Sequence, residues 1–481
     1  MTTLGNETFQ FLAGAVHIVL AVGLSAHIIL TKEDVRAAIG WTGLVWLAPY
    51  VGSILYLLLG INRIRRQAGR IRRRRGAGTA LESSQELPGG FGIPTDASPF
   101  HHGQARLVTN ATGVPLTRGN TVEPLIDGDE AYPAMIEAVD RASRSVGLVT
   151  YIFDRGRAGD RFADALARAV ARGVEVRVLI DGVGARYSRP PIVRELRRRG
   201  VPVALFLPSY FFLPYPYSNL RNHRKIMVVD GVLGFCGGMN IRDQCLLQST
   251  PKGATRDLHF RLRGPVVRQL VSTFAFDWSF TTKEQLGGPT WFRDIEPAGD
   301  VYARGIPDGP DEDFETLLMT LLGALAMARR SIRVATPYFL PDPPIIDAFR
   351  TAALRGVEVE ILLPAKNNLR LVHWAAMAQL KQVVRWGCQV YFVPPPFDHS
   401  KLMVVDGEWS LLGSANWDPR SLRLNFEYVV ECYSTVLAGQ FEALLDAKRT
   451  GAHLVSRHEL SRRSFPVKMR DGLARLAQPY L

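Results

Sequence analysis

The chain has few cysteines, and their arrangement suggests neither a disulfide scaffold nor a metal site. Its 481 residues include only Cys236, Cys245, Cys388 and Cys432, which lack C-x-x-C spacing and lie mostly in apolar surroundings. We expect reduced core residues, which excludes a disulfide framework and gives no zinc signature. Glycine (43) and proline (30) are too scarce for a low-complexity chain. At roughly 150 residues per domain, the length allows about three domains.

Acidic residues are in deficit, but the excess positive charge is concentrated in one short segment. The chain has 58 Lys and Arg against 45 Asp and Glu, a net charge of +13. Eight arginines and no acid lie between Ile61 and Arg75, and without these eight the net charge is +5. The basic character therefore describes one stretch, and we expect no nucleic acid as a partner.

Charge is absent from two long segments near the N-terminus. Residues 9–30 contain no Asp, Glu, Lys or Arg, and at 1.5 Å per residue they reach about 33 Å, enough to cross a ~30 Å hydrocarbon core. After a polar break, residues 37–61 are again uncharged. We predict a hairpin of two transmembrane helices, 9–30 and 37–61. The absence of Lys and Arg before residue 9 argues against a cleaved signal peptide.

The arginines that follow the second predicted span indicate topology. By the positive-inside rule this end of the hairpin, with everything after it, lies in the cytoplasm. Residues 63–75 are also expected to bind anionic lipid, at roughly 1 kcal/mol per residue. We assign residues 1–75 to the hairpin with its basic segment and residues 76–105 to a linker without periodicity.

The remainder of the chain contains the same unit twice, in residues 106–295 and 296–481. The segment RGVEVRVLI (172–180) returns as RGVEVEILL (355–363). In each copy, short apolar strands alternate with helices of about ten residues, a pattern typical of βα units around a sheet buried on both faces. The predicted fold is α/β: two pseudo-twofold-related halves that form one globule, with sites where the halves meet.

Each copy carries the same polar motif. The first is NHRKIMVVDGVLGFCGGMNI (222–241) and the second DHSKLMVVDGEWSLLGSANW (398–417). From the histidine, the lysine is two residues on, the aspartate seven and the asparagine seventeen, in both copies. One such motif carries little weight. Two with identical spacing argue strongly against an arrangement of unrelated surface groups.

The spacing brings unlike side chains together. Residues two apart on a strand face the same way, so the histidine and lysine of each motif point together, with the asparagine on the same side of the hairpin. These residues are His223, Lys225 and Asn240 in the first copy and His399, Lys401 and Asn416 in the second. Imidazole, ammonium and carboxamide at one place suit a phosphate. Two such half-sites predict two imidazoles flanking one phosphorus atom.

An Asp-Gly pair in each motif predicts a tight two-residue hairpin turn. The pairs are Asp230-Gly231 and Asp406-Gly407. With that turn, Gly238 lies opposite His223 and Ser414 opposite His399, and these small residues would let the backbone approach a phosphate ligand. Asp230 and Asp406 complete the catalytic motif, but their place at the turns favours a structural role.

The predicted chemistry is phosphodiester exchange without a metal or cofactor. One neutral histidine attacks phosphorus and forms a phosphohistidine, while the other, protonated, supplies a proton to the leaving alkoxide. The lysines and asparagines stabilise the phosphoryl oxygens. Carboxylates must orient the imidazoles, and Asp257 and Glu427 are the candidates.

The duplicated motif resembles the HKD signature of the phospholipase D superfamily. Its details are similar to those of bacterial cardiolipin synthases: RNHRKIMVVDG, TPYFLP (336–341) and GSANWDPRSLRLNFE (413–427). The resemblance implies transfer of a phosphatidyl group from one phosphatidylglycerol to another lipid hydroxyl, with release of glycerol, at the bacterial inner membrane. It also implies that His223 is the nucleophile and His399 the acid and base.

Several alternatives stay open at this point. Water as acceptor would make the protein a hydrolase, and loss of catalysis would leave a lipid-binding scaffold. Asp398 stands where relatives more often have an apolar residue, which puts the acceptor head group in doubt. The proline-interrupted aromatic segment 206–217 packs on the core or at the membrane interface. The sequence does not indicate an oligomeric state.

Overall fold

The computed structural model describes residues 2–32, 35–48, 50–60, 99–208, 220–250, 253–310 and 315–478. The arginine-rich segment 63–75, most of the predicted linker 76–105 and most of the aromatic segment 206–217 lie outside these residues. The chain divides into two compact units, residues 1–74 and 75–481.

The N-terminal unit contains one long apolar helix and a shorter one. Helix α1 spans Thr2–Thr31 and α2 spans Val35–Leu47. Within α1, residues 11–31 are long and apolar enough to cross a membrane, with a mean hydropathy of 2.0. The two helices pack together, and the Trp46 indole donates a hydrogen bond to Ser25 Oγ at 3.0 Å.

The predicted second span is not one continuous helix. Helix α2 ends at Leu47, and α3 (Val51–Leu55) begins a new helical segment that closes with a π-helical turn, Tyr56–Gly60. The Tyr56 ring packs 5.4 Å from that of Trp41 in α2, so the chain folds back after α2. The prediction of one helix over 37–61 is therefore wrong. The break coincides with proline 49, which has no N–H to continue a helix.

A helix also begins inside the predicted linker. Helix α4 spans Pro99–Thr112, and Phe100 and Val108 are buried in the core of the second repeat. Gln104 Nε2 donates to the carbonyl of Thr320 at 2.9 Å. The predicted linker therefore includes the first seven residues of this helix, about two turns, and its boundary at residue 105 is wrong. Long-range packing, rather than local periodicity, stabilises this helix.

The first repeat begins at Thr117. Its strands and helices, in chain order, are β1 Thr117–Ile126, α5 Asp127–Arg141, β2 Ser145–Thr150, α6 Arg157–Ala171, β3 Glu175–Asp181, α7 Ile192–Arg198, β4 Val203–Phe206, β5 Arg221–Asn222, β6 Ile226–Val229, β7 Leu233–Gly237, β8 Thr255–Arg256, β9 Leu258–Arg263, α8 Val266–Thr282 and α9 Gly288–Trp291.

The second repeat begins at Val301. Its elements are β10 Val301–Asp308, α10 Thr316–Met327, β11 Ser331–Ala335, α11 Pro343–Leu354, β12 Glu358–Pro364, α12 Arg370–Val384, β13 Gln389–Val393, β14 Phe397–Asp398, β15 Leu402–Val405, β16 Trp409–Gly413, α13 Pro419–Arg423, β17 Asn425–Tyr433, α14 Thr435–Arg449, β18 His453–Leu454, α15 Arg457–Arg462 and α16 Phe465–Leu476.

The two repeats form one continuous mixed sheet. The order of its main path is β18-β13-β12-β11-β15-β16-β17-β10-β1-β9-β7-β6-β2-β3-β4. The strand order of one repeat mirrors that of the other, and the first strands of the repeats, β1 and β10, pair antiparallel where the halves meet. The parallel runs β2-β3-β4 and β11-β12-β13 are the predicted βα units. The prediction of two related α/β halves in one globule is confirmed.

Helices cover both faces of the sheet. Helices α5 to α7 bury one face of the first repeat, and α8 and α14 contribute to a second core that draws on both repeats. The rings of Phe260 in β9 and Phe441 in α14 meet at 5.6 Å across that boundary. All four cysteines are buried and none forms a disulfide, as predicted.

The motif hairpins differ from the prediction by one residue. Val229 pairs with Leu233, so three residues rather than two separate the strands, and the second hairpin has the same register. Asp230 and Gly231 have φ of 52° and 69°, the conformation that Asp-Gly favours in such turns. In addition, β6 begins only at Ile226, after the motif histidine. The prediction that Gly238 lies opposite His223, and Ser414 opposite His399, is therefore wrong.

A buried ion pair joins α4 to the centre of the sheet and generates a stability prediction. Arg304 and Glu431 are fully buried in β10 and β17 and form a salt bridge, and Arg304 also donates to the carbonyl of Ala105 at 3.0 Å. Arg304→Ala should lower the free energy of unfolding by about 3–5 kcal/mol, because it leaves a buried carboxylate unpaired. Urea unfolding of the full chain in detergent measures this change. Arg141→Ala, which breaks an exposed pair, is the control and should cost less than ~1 kcal/mol.

Candidate active site

Two very short strands position the motif histidines. Strand β5 pairs in parallel with the start of β17 in the other repeat, with Asn222 opposite Phe426. The next residue, His223, donates its backbone N–H to the carbonyl of Phe426 at 2.9 Å. Glu427 follows Phe426 directly. The strand pairing therefore sets the imidazole beside a carboxylate of the opposite repeat.

The second repeat reproduces this arrangement. Strand β14 pairs in parallel with β8 of the first repeat, with Asp398 opposite Arg256. His399 then donates its backbone N–H to the carbonyl of Arg256 at 2.7 Å, and Asp257 is the next residue. Each repeat thus lends a carboxylate to the histidine of the other.

The side chains complete these crossed pairs. His223 Nδ1 lies 2.9 Å and 3.0 Å from the two carboxylate oxygens of Glu427. His399 Nδ1 lies 2.7 Å from Asp257 Oδ2. The sequence indicated both carboxylates but not their exchange between repeats, because strands of two residues leave no detectable pattern. In each imidazole the proton on Nδ1 is fixed by the carboxylate, which leaves the lone pair on Nε2.

Burial keeps both imidazoles neutral. Their side chains are only 12% and 13% exposed. Burial lowers the pKa of His223 to about 4, and the ammonium of Lys225 adds to that effect. Burial and then Lys401 lower the pKa of His399 to about 4 as well. Burial opposes ionisation of Glu427, yet His223 and Lys225 hold its pKa below the ordinary value.

The motif lysines lie beside the histidines. Lys225 Nζ donates to the carbonyl of His223 at 2.5 Å, and Lys401 Nζ lies 2.8 Å and 3.0 Å from the ring nitrogens of His399. Burial lowers the pKa of Lys401 to about 8, and it lowers the pKa of Lys225 well below its ordinary value. Buried ammonium groups next to an imidazole favour an incoming anion.

The two half-sites act on one another. Lys401 of the second repeat lowers the pKa of His223, and Lys225 of the first repeat lowers that of His399. Since Glu427 and Asp257 also cross between the repeats, all six groups belong to one cluster at the interface of the halves.

The small motif residues support the carboxylates. Ser414 Oγ donates to Glu427 Oε2 at 2.5 Å. At Gly238 an added Cβ would lie 2.3 Å from Asp257 Oδ1, so only glycine leaves room for that carboxylate. We predicted that Gly238 and Ser414 are small so that the backbone can approach a phosphate. That prediction is wrong, because the acids that orient the histidines occupy this space.

The asparagines lie at equivalent places. Asn240 Oδ1 accepts the backbone N–H of Ile152 at 3.0 Å, which orients its amide group. Asn416 is buried, and its Oδ1 has no hydrogen-bond partner among the residues that the structure describes. Both remain candidates for contact with phosphoryl oxygens.

The motif aspartates hold the loops that precede the parallel strands. The Asp230 carboxylate accepts the backbone N–H groups of Ser143, Arg144 and Ser145, the shortest at 2.7 Å. Asp406 accepts the equivalent groups before β11. These contacts agree with a structural role at the turns.

Asp398 faces the protein interior rather than a lipid head group. Its carboxylate lies 2.6 Å from Lys448 Nζ and accepts the Ser400 N–H at 2.9 Å. In the first repeat Asn222 precedes the histidine, and the buried ion pair beside it has the reversed polarity: Arg224, the residue after the histidine, lies 2.5 Å from Asp277. The suggestion that Asp398 selects the acceptor is wrong, because this buried ion pair occupies its carboxylate.

Three supporting residues were not predicted. The Tyr151 ring meets the His223 ring edge-on at 5.2 Å, and the Tyr338 ring meets that of His399 at 6.2 Å. Asp127 Oδ1 accepts the backbone N–H of Asp257 at 2.9 Å. The tyrosines share no spacing that could have identified them, since Tyr151 lies one residue beyond β2 and Tyr338 three residues beyond β11.

The arrangement is suited to covalent catalysis at phosphorus. It offers two neutral imidazoles without a proton on Nε2, each backed by a carboxylate that would stabilise an imidazolium. At His399 the Lys401 ammonium lies 3.0 Å from that nitrogen. Two ammonium groups lie ready for phosphoryl oxygens.

Comparisons with known proteins agree with this geometry. The family described as "Cardiolipin synthase, PLD-like domain" matches residues 135–254 and 321–448, and "Phospholipase_D-nuclease N-terminal" matches residues 19–60. The chain is 31% identical to the major cardiolipin synthase of Bacillus subtilis over 95% of its length and 97% of that protein. It is 32% identical to cardiolipin synthase A of Pseudomonas fluorescens (strain SBW25) over the full length of both.

A solved structure shares the fold. The phosphatidylserine synthase of Haemophilus influenzae Rd KW20 superposes with a TM-score of 0.61 at 15% identity, over 79% of this chain and 100% of that one. At this identity the likeness concerns the fold alone.

The lowered histidine pKa values predict proton uptake when an anion binds. At pH 6 both imidazoles are neutral, since their pKa is about 4. A bound sulfate would raise these values, so about one proton should be taken up per anion. Isothermal titration calorimetry in buffers of different ionisation enthalpy measures the uptake. His399→Gln should reduce it, and His453→Gln, at an exposed position outside the site, should not. Binding without proton exchange would contradict the assignment.

Proposed function

Because the chain belongs to the cardiolipin synthase family of phospholipase D-like proteins, we propose that it is a membrane-associated phosphatidyltransferase that makes cardiolipin. The substrates are two phosphatidylglycerol molecules and the second product is glycerol. The observation that carries the proposal is the crossed pairing of two buried imidazoles with carboxylates of the opposite repeat, at 2.7–3.0 Å.

In the first step, Nε2 of one histidine attacks phosphorus as the bond from phosphorus to the glycerol oxygen breaks. The donor's anionic phosphate raises the pKa of the second imidazole, which can then bind a proton and give it to the leaving alkoxide. The products of the step are glycerol and a phosphatidyl group bonded to the histidine nitrogen.

In the second step, a hydroxyl of another phosphatidylglycerol attacks the same phosphorus. The second histidine, now neutral, accepts the hydroxyl proton, and the bond between phosphorus and nitrogen breaks. Its carboxylate stabilises the imidazolium that forms. The lysine and asparagine side chains stabilise the phosphoryl oxygens as charge accumulates there.

His223 is proposed as the nucleophile and His399 as the acid and base, on the family resemblance. Their environments are nearly symmetric, and one difference supports distinct roles. Lys401 Nζ lies against the ring of His399, whereas Lys225 donates to the backbone of His223. This leaves the His223 ring with Glu427 as its partner.

The catalytic unit is proposed to face the cytoplasm. The apolar helix α1 associates the chain with the membrane, and the arginines of residues 63–75 support the cytoplasmic side by the positive-inside rule. The same arginines would bind anionic lipid. Because the chain folds back after α2, a single crossing by α1 fits the structure better than two.

The proposed reaction can be tested with membranes that contain the full chain and phosphatidylglycerol labelled in its head group and acyl chains. We expect labelled glycerol and a four-chain lipid in equal amounts. His223→Ala and His399→Ala should each lower the rate by at least about 10³-fold, because two-step exchange needs both groups. His458→Ala, at an exposed position on α15, is the control. Phosphatidic acid as the main product would show hydrolysis instead of transfer.

The order of the histidines can be tested by trapping the intermediate. With His223 as nucleophile, Glu427→Gln should slow formation of the phosphohistidine, since the carboxylate no longer stabilises the imidazolium. Asp257→Asn should slow proton transfer through His399, and the covalent intermediate should accumulate on residue 223. Alkaline quenching followed by mass spectrometry of the peptides identifies the modified residue. Accumulation on residue 399 would reverse the assignment.

A further inference from the structure

One face of the C-terminal helix α16 is apolar and exposed. Phe465, Met469, Leu473 and Leu476 are 75%, 48%, 62% and 77% exposed. Steps of four, four and three residues place them on one side of the helix, opposite the buried Ala474. Scattered apolar residues are common on protein surfaces, but a continuous helical stripe marks an interaction surface.

The opposite side of the helix is firmly attached. Helix α16 packs along α12, where the Arg470 guanidinium lies 4.4 Å from the centre of the Trp374 ring. Gln379 Nε2 donates to Gln478 Oε1 at 2.9 Å, two residues beyond the helix. The apolar stripe is therefore presented in a fixed orientation.

Basic residues lie beside the stripe. Arg462, Lys468 and Arg475 are exposed. Two acids lie nearby: Asp471 is buried and pairs with Arg463 and Arg470, and Glu459 lies 2.8 Å from His453. The surface is therefore apolar at its centre and positive at its edge, the composition of helices that lie in the interface of an anionic bilayer.

Helix α12, on which α16 packs, begins beside the active site. Leu369 and Leu371, at the start of α12, are 48% and 43% exposed. The Tyr338 hydroxyl donates a hydrogen bond to Asn368 Oδ1 at 2.8 Å. The Tyr338 ring packs against the ring of His399. Asn368, which binds the tyrosine beside the second histidine, is therefore separated from the start of α12 by only one residue in the chain.

We infer that the exposed face of α16, with Leu369 and Leu371, is a docking surface for an anionic lipid bilayer that holds the His399 side of the active site at the membrane. The inference rests on the proposed function, because a site that acts on lipid needs access to the bilayer. A second copy of the chain is disfavoured as the occupant, since self-association would bring the basic edges together.

A fluorescent label on the stripe tests the contact directly. Met469→Cys in the full chain is labelled with an environment-sensitive fluorophore; the four native cysteines are buried. In phosphatidylglycerol-containing vesicles, nitroxide lipids should quench the label at 469. A label at Val436→Cys, an apolar position of α14 that is 74% exposed, is the matched control. Equal quenching at both positions would overturn the inference, and so would energy transfer between labelled copies in place of lipid quenching.

Activity provides a second test that separates the docking surface from the chemistry. The double substitution Phe465→Ser and Leu473→Ser should lower the rate about tenfold on vesicle substrate, because it removes two apolar anchors. On micellar substrate the change should stay below about twofold, since micelles do not require docking. Val436→Ser should affect neither rate. Equal losses of activity on vesicles and micelles would contradict docking. A wild-type chain that is inactive on both substrates would contradict the proposed function, and the quenching experiment would then be the test of docking.

Discussion

The exchange of carboxylates between the two repeats is the constraint on which the site depends. Strands of only two residues, β5 and β14, bring each histidine to the backbone of the opposite repeat. The next residue on that backbone is the acid that holds the imidazole. Both crossed pairs therefore require that the two repeats keep a fixed relative position. The pairing of β1 with β10 and the core shared by α8 and α14 hold them there. Neither repeat contains a complete histidine and carboxylate pair by itself.

Burial gives these pairs their chemical character. An exposed imidazole next to a carboxylate would be partly protonated at neutral pH, because the opposite charge favours the cation. Here the loss of solvent and the neighbouring lysines outweigh the carboxylates and keep the histidines neutral. In the proposed mechanism a neutral imidazole attacks phosphorus, and the anionic substrate would favour protonation of the second imidazole. Ser414 and Gly238 contribute indirectly, through the positions of Glu427 and Asp257.

The sequence predicted what depends on local pattern and duplication. Repeated segments led to the two halves, and identical spacing in two motifs led to the histidines and lysines. The two orienting acids were candidates without a shared spacing, since Asp257 lies 34 residues after His223 and Glu427 lies 28 after His399. The crossing of Asp257 and Glu427 could not be predicted, because it arises from strand pairs too short to leave a periodic signal. The helix at Pro99 was missed for a related reason: Phe100 and Val108 are stabilised by distant residues. The hairpin register was wrong by one residue because an Asp-Gly pair fixes the turn conformation but not the number of residues that follow it unpaired.

The reversed polarity of one buried pair distinguishes two otherwise similar repeats. In the first, Arg224, the residue after the histidine, is the cation, and helix α8 carries the anion, Asp277. In the second, Asp398, the residue before the histidine, is the anion, and helix α14 carries the cation, Lys448. If a folding chain packed the helix of one repeat on the histidine segment of the other, two cations or two anions would meet in the interior. Two repeats of similar sequence could otherwise exchange helices, and this inversion gives each histidine segment only one acceptable helix.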